Sequence, residues 1–132
     1  MMKKVVLDAS TGELSEVDLS PEEQAEYDAR EAEDAAQASE RLKLAILDAA
    51  QTQLNEFANT RGYDGIMSAC TYATSTIPKF AAEGQYCVQL RDETWATLYG
   101  MLAEIEAGTR PLPESFEDIA HELPLATAVW PT

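Results

Sequence analysis

His121 is the only histidine in this 132-residue chain. Any serine, cysteine or metal mechanism that needs an imidazole therefore has to use it. Glu117 and Asp118 precede it at i−4 and i−3, a spacing that brings these side chains onto one helix face and could ligate a metal. One such group falls short of the ligand set of a metal centre. A cation near a helix C-terminus is the simpler role for His121. Cys70 and Cys87 do not form a Cys-x-x-Cys unit, and no lysine-rich surroundings lower a thiol pKa, so both read as packing residues of adjacent helices. The acids between Glu22 and Glu40 have no large apolar wall beside them. They read as a solvated helix face and not as paired catalytic carboxylates, which need a shaped, partly dry site. No Gly-rich phosphate loop, Gly-x-Ser-x-Gly or Walker pattern occurs. The expectation is a protein that is not an enzyme, with no catalytic, metal or cofactor-binding residue and no cofactor.

Charge narrows the partners. The chain has 24 acidic and 9 basic side chains, a net charge of −15. Nucleic-acid binding through a basic patch is not expected, because phosphate contacts need clustered Lys and Arg. An anionic membrane surface would repel the chain. No apolar run approaches the ~18 residues of a spanning helix, and the run from Val5 to Leu7 is too short for a signal peptide. A soluble protein made and kept in the cytosol until assembly is the resulting expectation. The charge is also uneven. Residues 1–40 hold 12 acids and 3 bases but only nine large apolar residues, whereas residues 59–132 hold 10 acids and 4 bases together with both tryptophans and both cysteines. The first third cannot bury much surface by itself. The chain should thus divide into an arm, residues 1–40, and a helical domain, residues 41–132.

These elements follow from local patterns. Residues 3–8 and 14–19 read as two strands of a hairpin, with turn chemistry in residues 9–13 and Gly12 free to take positive φ. A lone two-stranded hairpin is marginal in water, so it should pair with another chain or pack on something larger. Ser20-Pro21-Glu22-Glu23 is a capping box with proline at the first helical position. From there a helix should run to about Ala58. Up to Ser39 its only large apolar residue is Tyr27, and that half should project. From Arg41 onward Leu42, Ile46, Ala49, Ala50, Leu54 and Phe57 recur near a 3.6 period, and that half should dock on a core. Asp64 is the expected N-cap of a second helix with Ile66, Ala69, Cys70 and Ala73 on one face. A third helix should run from Pro78 to about Ala107, with a stripe of Phe80, Cys87, Val88, Arg91, Trp95, Leu98, Leu102 and Ile105, and stop at Gly108. Glu114 to Glu122 reads as one more short helix, followed by an extended tail from Leu125 to Thr132. The fold class is mainly α: an N-terminal β-hairpin, one long acidic helix, then a compact C-terminal domain of about three helices.

Residues that could meet a partner are Val5, Leu7, Val17 and Leu19 on the hairpin and Tyr27 on the helix. Tyr27 stands almost alone on an alanine-rich surface and either meets another chain or is a singly exposed tyrosine. Trp130 in the Pro-ended tail either folds back on the helices or anchors a partner, as exposed aromatic hot spots do.

The string Arg61-Gly62-Tyr63-Asp64-Gly65-Ile66-Met67-Ser68-Ala69-Cys70-Thr71-Tyr72-Ala73 resembles a segment of small proteins and tail-fibre C-termini of tailed bacteriophages. So do Pro78 to Gln85, Arg91-Asp92-Glu93-Thr94-Trp95, Leu102 to Pro111, and the ending Glu122-Leu123-Pro124 with Trp130-Pro131. Val6 to Gln24 is similar in style to the start of phage tail-fibre assembly proteins, where a short hairpin precedes an acidic, alanine-rich helix. The resemblance covers about 70 residues well. It implies a virion structural protein of the tail-fibre or baseplate apparatus that acts as an assembly or attachment adaptor. The alternative it implies is a tail-fibre assembly chaperone absent from the mature virion. The implied partners are fibre or baseplate proteins, the implied location is the host cytoplasm during synthesis and the virion tail afterwards, and a homo-oligomer, a trimer by analogy with fibres, is expected. The resemblance carries over no catalytic residue. It also speaks against an acidic DNA mimic.

Overall fold

The computed structural model describes residues 3–132. It is mainly helical, with one two-stranded antiparallel sheet. The chain divides into two compact units, Met1–Glu40 and Arg41–Thr132.

In the first unit β1 (Lys3–Leu7) pairs with β2 (Leu14–Asp18), with Lys3 opposite Asp18, Val5 opposite Glu16 and Leu7 opposite Leu14. The connection is held by its own polar groups. Asp8 Oδ1 accepts from the Ser10 amide at 2.9 Å, and Gly12 takes φ 73°, a left-handed conformation that a side chain would strain. The helix α1 (Pro21–Asn59) then begins with the reciprocal bonds of a capping box. The Glu23 amide donates to Ser20 Oγ at 3.1 Å and the Ser20 amide to Glu23 Oε1 at 3.3 Å.

In the second unit the later half of α1 buries Ile46, Ala50, Leu54 and Ala58, one side chain per turn. It packs with α2 (Ile66–Thr71), a 3₁₀ turn (Tyr72–Thr74), α3 (Pro78–Glu106), α4 (Glu117–Ala120) and a second 3₁₀ turn (Pro124–Thr127). Two clusters form along the seam of α1 and α3. One holds Ile46, Ala50, Leu98, Met101, Phe116, Ile119 and Leu123, and the other Leu54, Ala58, Ile66, Ala69, Cys87 and Leu90. The end of α3 is a Schellman motif: the Thr109 amide reaches Glu104 O at 3.0 Å, the Gly108 amide reaches Ile105 O at 3.1 Å, and Gly108 has φ 78°.

Four expectations need correction. The start of α2 is not capped by Asp64; the residue before it is Gly65, and the Ile66 amide donates at 3.0 Å to Asn55 Oδ1 of α1. A side chain eleven positions upstream thus does what a local cap would do. The buried stripe of α3 is Glu83, Gly84, Cys87, Leu90, Thr94, Leu98 and Met101. Of the expected stripe only Cys87 and Leu98 lie fully inside, while Phe80, Val88, Arg91, Trp95, Leu102 and Ile105 are half-buried flanks. The large apolar groups had marked the wrong phase, because the position of α3 that meets backbone directly is Gly84, which carries no hydrophobic signal, and the buried Glu83 beside it is satisfied by Arg61 and Tyr63. The expected helix from Glu114 shrinks to Glu117–Ala120; the turn before it is closed by i→i−3 bonds, Asp118 amide to Ser115 O at 3.2 Å and Ile119 amide to Phe116 O at 3.1 Å, and Asp118 Oδ2 accepts from the Glu114 amide at 2.9 Å. The tail, finally, is not all extended, because Pro124–Thr127 form a 3₁₀ turn that follows the buried Leu123.

Gly84 sets the spacing of this unit. A Cβ built there would lie 2.3 Å from the Ala73 nitrogen and 2.5 Å from the Tyr72 carbonyl carbon, both backbone atoms. Gly100, on the same helix, has nothing within 4 Å of such a carbon. Gly84→Ala should therefore destabilise the unit by about 3 kcal/mol through overpacking against backbone. Gly100→Ala should stabilise it by roughly 0.8 kcal/mol through helix propensity. Urea unfolding followed by tryptophan fluorescence checks both, and equal effects at the two glycines would contradict the close approach.

Candidate interaction surface

None of residues 3–40 is buried. The first unit is therefore held by hydrogen bonds and charge more than by a core. The pleat sorts its side chains. Lys3, Val5 and Leu7 share one face of the sheet with Leu14, Glu16 and Asp18, and Lys4 and Val6 share the other with Ser15 and Val17. The apolar residues of the first face are the more open: Val5 is 63% exposed, Leu7 61% and Leu14 71%, against 39% for Val6 and Val17. The second face is the one tied to the helix. Lys4 Nζ pairs with Glu23 Oε2, and Lys4, Leu19, Glu23, Glu26, Tyr27 and Arg30 line a cleft of about 260 Å³. Glu23 is thus both capping-box acid and ion-pair partner. The Lys4 ammonium and then the Ser20 amide hold its carboxyl below its ordinary pKa of 4.5.

The residues singled out from sequence fall into three places. Val5 and Leu7 lie on the open face, with Leu14 as a neighbour that pattern reading left out although its pairing with Leu7 follows from the hairpin register. Val17 lies on the opposite face, and Leu19 and Tyr27 line the cleft at the hairpin and helix start. Trp130 belongs to the other unit and folds back there. Its ring stacks on Phe57 at 4.4 Å, its Nε1 donates to Thr60 Oγ1 at 2.9 Å, and the Arg61 guanidinium lies 5.3 Å from the ring centre.

The second unit also holds a buried polar cluster that sequence reading missed. Glu83 is 3% exposed, and its two oxygens accept from Arg61 Nη1 at 2.8 Å and Tyr63 OH at 3.1 Å. Burial and then the Glu83 hydrogen bond push the Tyr63 phenol up to about 12. The available signal was a glutamate beside glycine on the inward phase of a helix, which needs a cation partner. Bonded through both oxygens, Glu83 orders the Arg61–Tyr63 segment.

The other chemistry-bearing groups are dispersed. His121 is exposed at the end of α4, and Asp118 is engaged with the Glu114 amide. Among the described residues no group of three or more His, Cys, Asp or Glu is placed to hold a metal ion. No helix among them is long and apolar enough to cross a membrane. Cys70 and Cys87 are both free thiols. Burial pushes Cys87 up to about 12, and burial of Cys70 outweighs the neighbouring Arg91 and raises it as well. A cleft of about 540 Å³ between Arg110 and Ile119 offers neither histidine nor thiol, and its Arg110 is paired with Glu122. No family model, no curated protein and no solved structure matches the chain.

Two outcomes follow from these environments. A thiol reagent at about pH 8 should modify half-buried Cys70 slowly and Cys87 only after unfolding. Site-resolved mass spectrometry reads the order, and native labelling of Cys87 as fast as in urea would contradict the packing. Since the folded carboxyl of Glu23 is depressed, its contribution is complete above the ordinary value and is lost as pH falls through the folded one. The Ser20 and Lys4 signals in NMR spectra should therefore change together as pH falls below the ordinary carboxyl value of 4.5. Glu23→Gln should abolish that shared transition.

Proposed function

We propose that this chain is a non-enzymatic structural protein of the tail-fibre or baseplate apparatus of a tailed bacteriophage. In this reading the first unit is the docking module of an adaptor through which the tail fibre is assembled or attached, and the second is a helical head. The observation that carries the docking role is the coreless first unit, which presents Val5, Leu7 and Leu14 together on the open face of its sheet. Two strands with no buried side chain are marginal alone, so a partner that covers this face would supply the missing apolar burial. The phage assignment rests on the resemblance of the Arg61–Ala73 string and of the segments that follow it.

Mass spectrometry of purified phage particles, alongside capture of the full-length chain from infected lysate, tests the reading. The expected result is the chain in both the particles and the fibre fraction of the lysate, with Leu7→Asp/Leu14→Asp lost from both. Capture with the fibre from lysate but absence from particles would replace it with the assembly-chaperone reading. Absence from both would remove the fibre connection altogether.

A further inference from the structure

We propose that the N-terminal hairpin joins copies of this chain head to tail, β1 of one copy pairing antiparallel with the free edge of β2 of the next. The inference does not rest on the fibre reading; it comes from where the edges point and what charge they carry. The Asp8 amide donates to Glu13 O at 2.8 Å, which marks residues 8 and 13 as a hydrogen-bonded pair. Bonded and non-bonded pairs alternate along an antiparallel ladder. With Leu7 opposite Leu14, the bonded pairs are then Val6 with Ser15 and Lys4 with Val17. Lys3, Val5 and Leu7 on one edge, and Leu14, Glu16 and Asp18 on the other, direct their backbone N–H and C=O groups outward. Among the described residues the sheet has two strands, and no further strand covers either edge.

The two edges differ in sign. Strand β1 carries Lys3 and Lys4 and no acid, and β2 carries Glu16 and Asp18 and no base. A two-fold pairing of β2 with itself about its centre would set Glu16 against Glu16. A two-fold pairing of β1 with itself would leave the acids of β2 unmatched. Pairing β1 with β2 of the next copy sets the basic end of one strand beside the acidic end of the other, repeating the Lys3–Asp18 match already made inside each hairpin. It also lines Val5, Leu7 and Leu14 of neighbouring copies into one continuous apolar face. The joined sheet passes the strand number at which sheets become independently stable. Because the contact is heterologous, it repeats from copy to copy and closes where the rotation allows a ring.

Light scattering on the eluting full-length chain tests this. The wild-type chain should run at a small multiple of its monomer mass, and the multiple should fall as salt screens the edge charges. Val5→Pro and Glu16→Pro each remove one outward amide without touching a bond of the inner ladder. Each alone should be a monomer, and an equal mixture should stop at a heterodimer, joined through the one intact edge that each retains. A monomeric wild-type chain, or a proline variant that still assembles like the wild type, would overturn the proposal. So would a mixture that stays monomeric while the Val6 and Ser15 amides remain protected from exchange.

Discussion

The second unit depends on a place where a helix touches backbone directly. Gly84 lies against the peptide between Tyr72 and Ala73 so closely that no Cβ fits. That contact fixes the distance between α3 and the 3₁₀ turn, and the neighbouring inward position then falls to Glu83. A carboxylate at 3% exposure needs partners, and Arg61 and Tyr63 supply them from the segment that leaves α1. The guanidinium that satisfies Glu83 also lies near the face of Trp130, whose ring is stacked on Phe57. One close approach thus reaches through a buried ion pair to the aromatic cluster that ties down the tail, where the Val129 amide donates to Tyr86 OH at 2.9 Å.

The first unit follows a different regime. It has no buried side chain among residues 3–40, so local bonds do most of the ordering there. Glu23 combines three of them: it caps α1 with Ser20, accepts from the Ser20 amide, and holds Lys4 of the hairpin. Charge-assisted bonds of this exposed kind give direction and register but modest stability. The apolar face and the unmatched strand edges are what such a unit has left to offer, and the proposed docking and head-to-tail pairing are built on them.

Much of this was legible in the residues themselves. Ser20-Pro21-Glu22-Glu23 set the start of a helix that runs unbroken to Asn59, and Pro78 and Gly108 bracketed α3. Each of these signals acts within one helical turn, where backbone sterics and hydrogen-bond reach suffice. The phase of α3 was not legible. Phe80, Val88, Trp95 and Leu102 outweighed Glu83, Gly84 and Thr94 in any hydrophobic pattern, yet the latter three face inward. The cap of α2 failed for a similar reason, since Asn55 comes from another helix. On the candidate surface, the alternation of the strands implied which residues share a face, but not that Val5, Leu7 and Leu14 would be the open side. The tie of Lys4 to the helix decided that.

By itself the sequence determined the hairpin, the long capped helix, the helical second half and the uneven charge, because propensity, capping and turn chemistry are local. Only the tertiary structure decided which face of α3 is inside, what completes the start of α2, that Trp130 turns inward, and which side of the hairpin is left open. Those outcomes depend on distances between segments far apart in the chain. There a missing Cβ or a single ion pair outweighs the hydrophobic pattern of any one element.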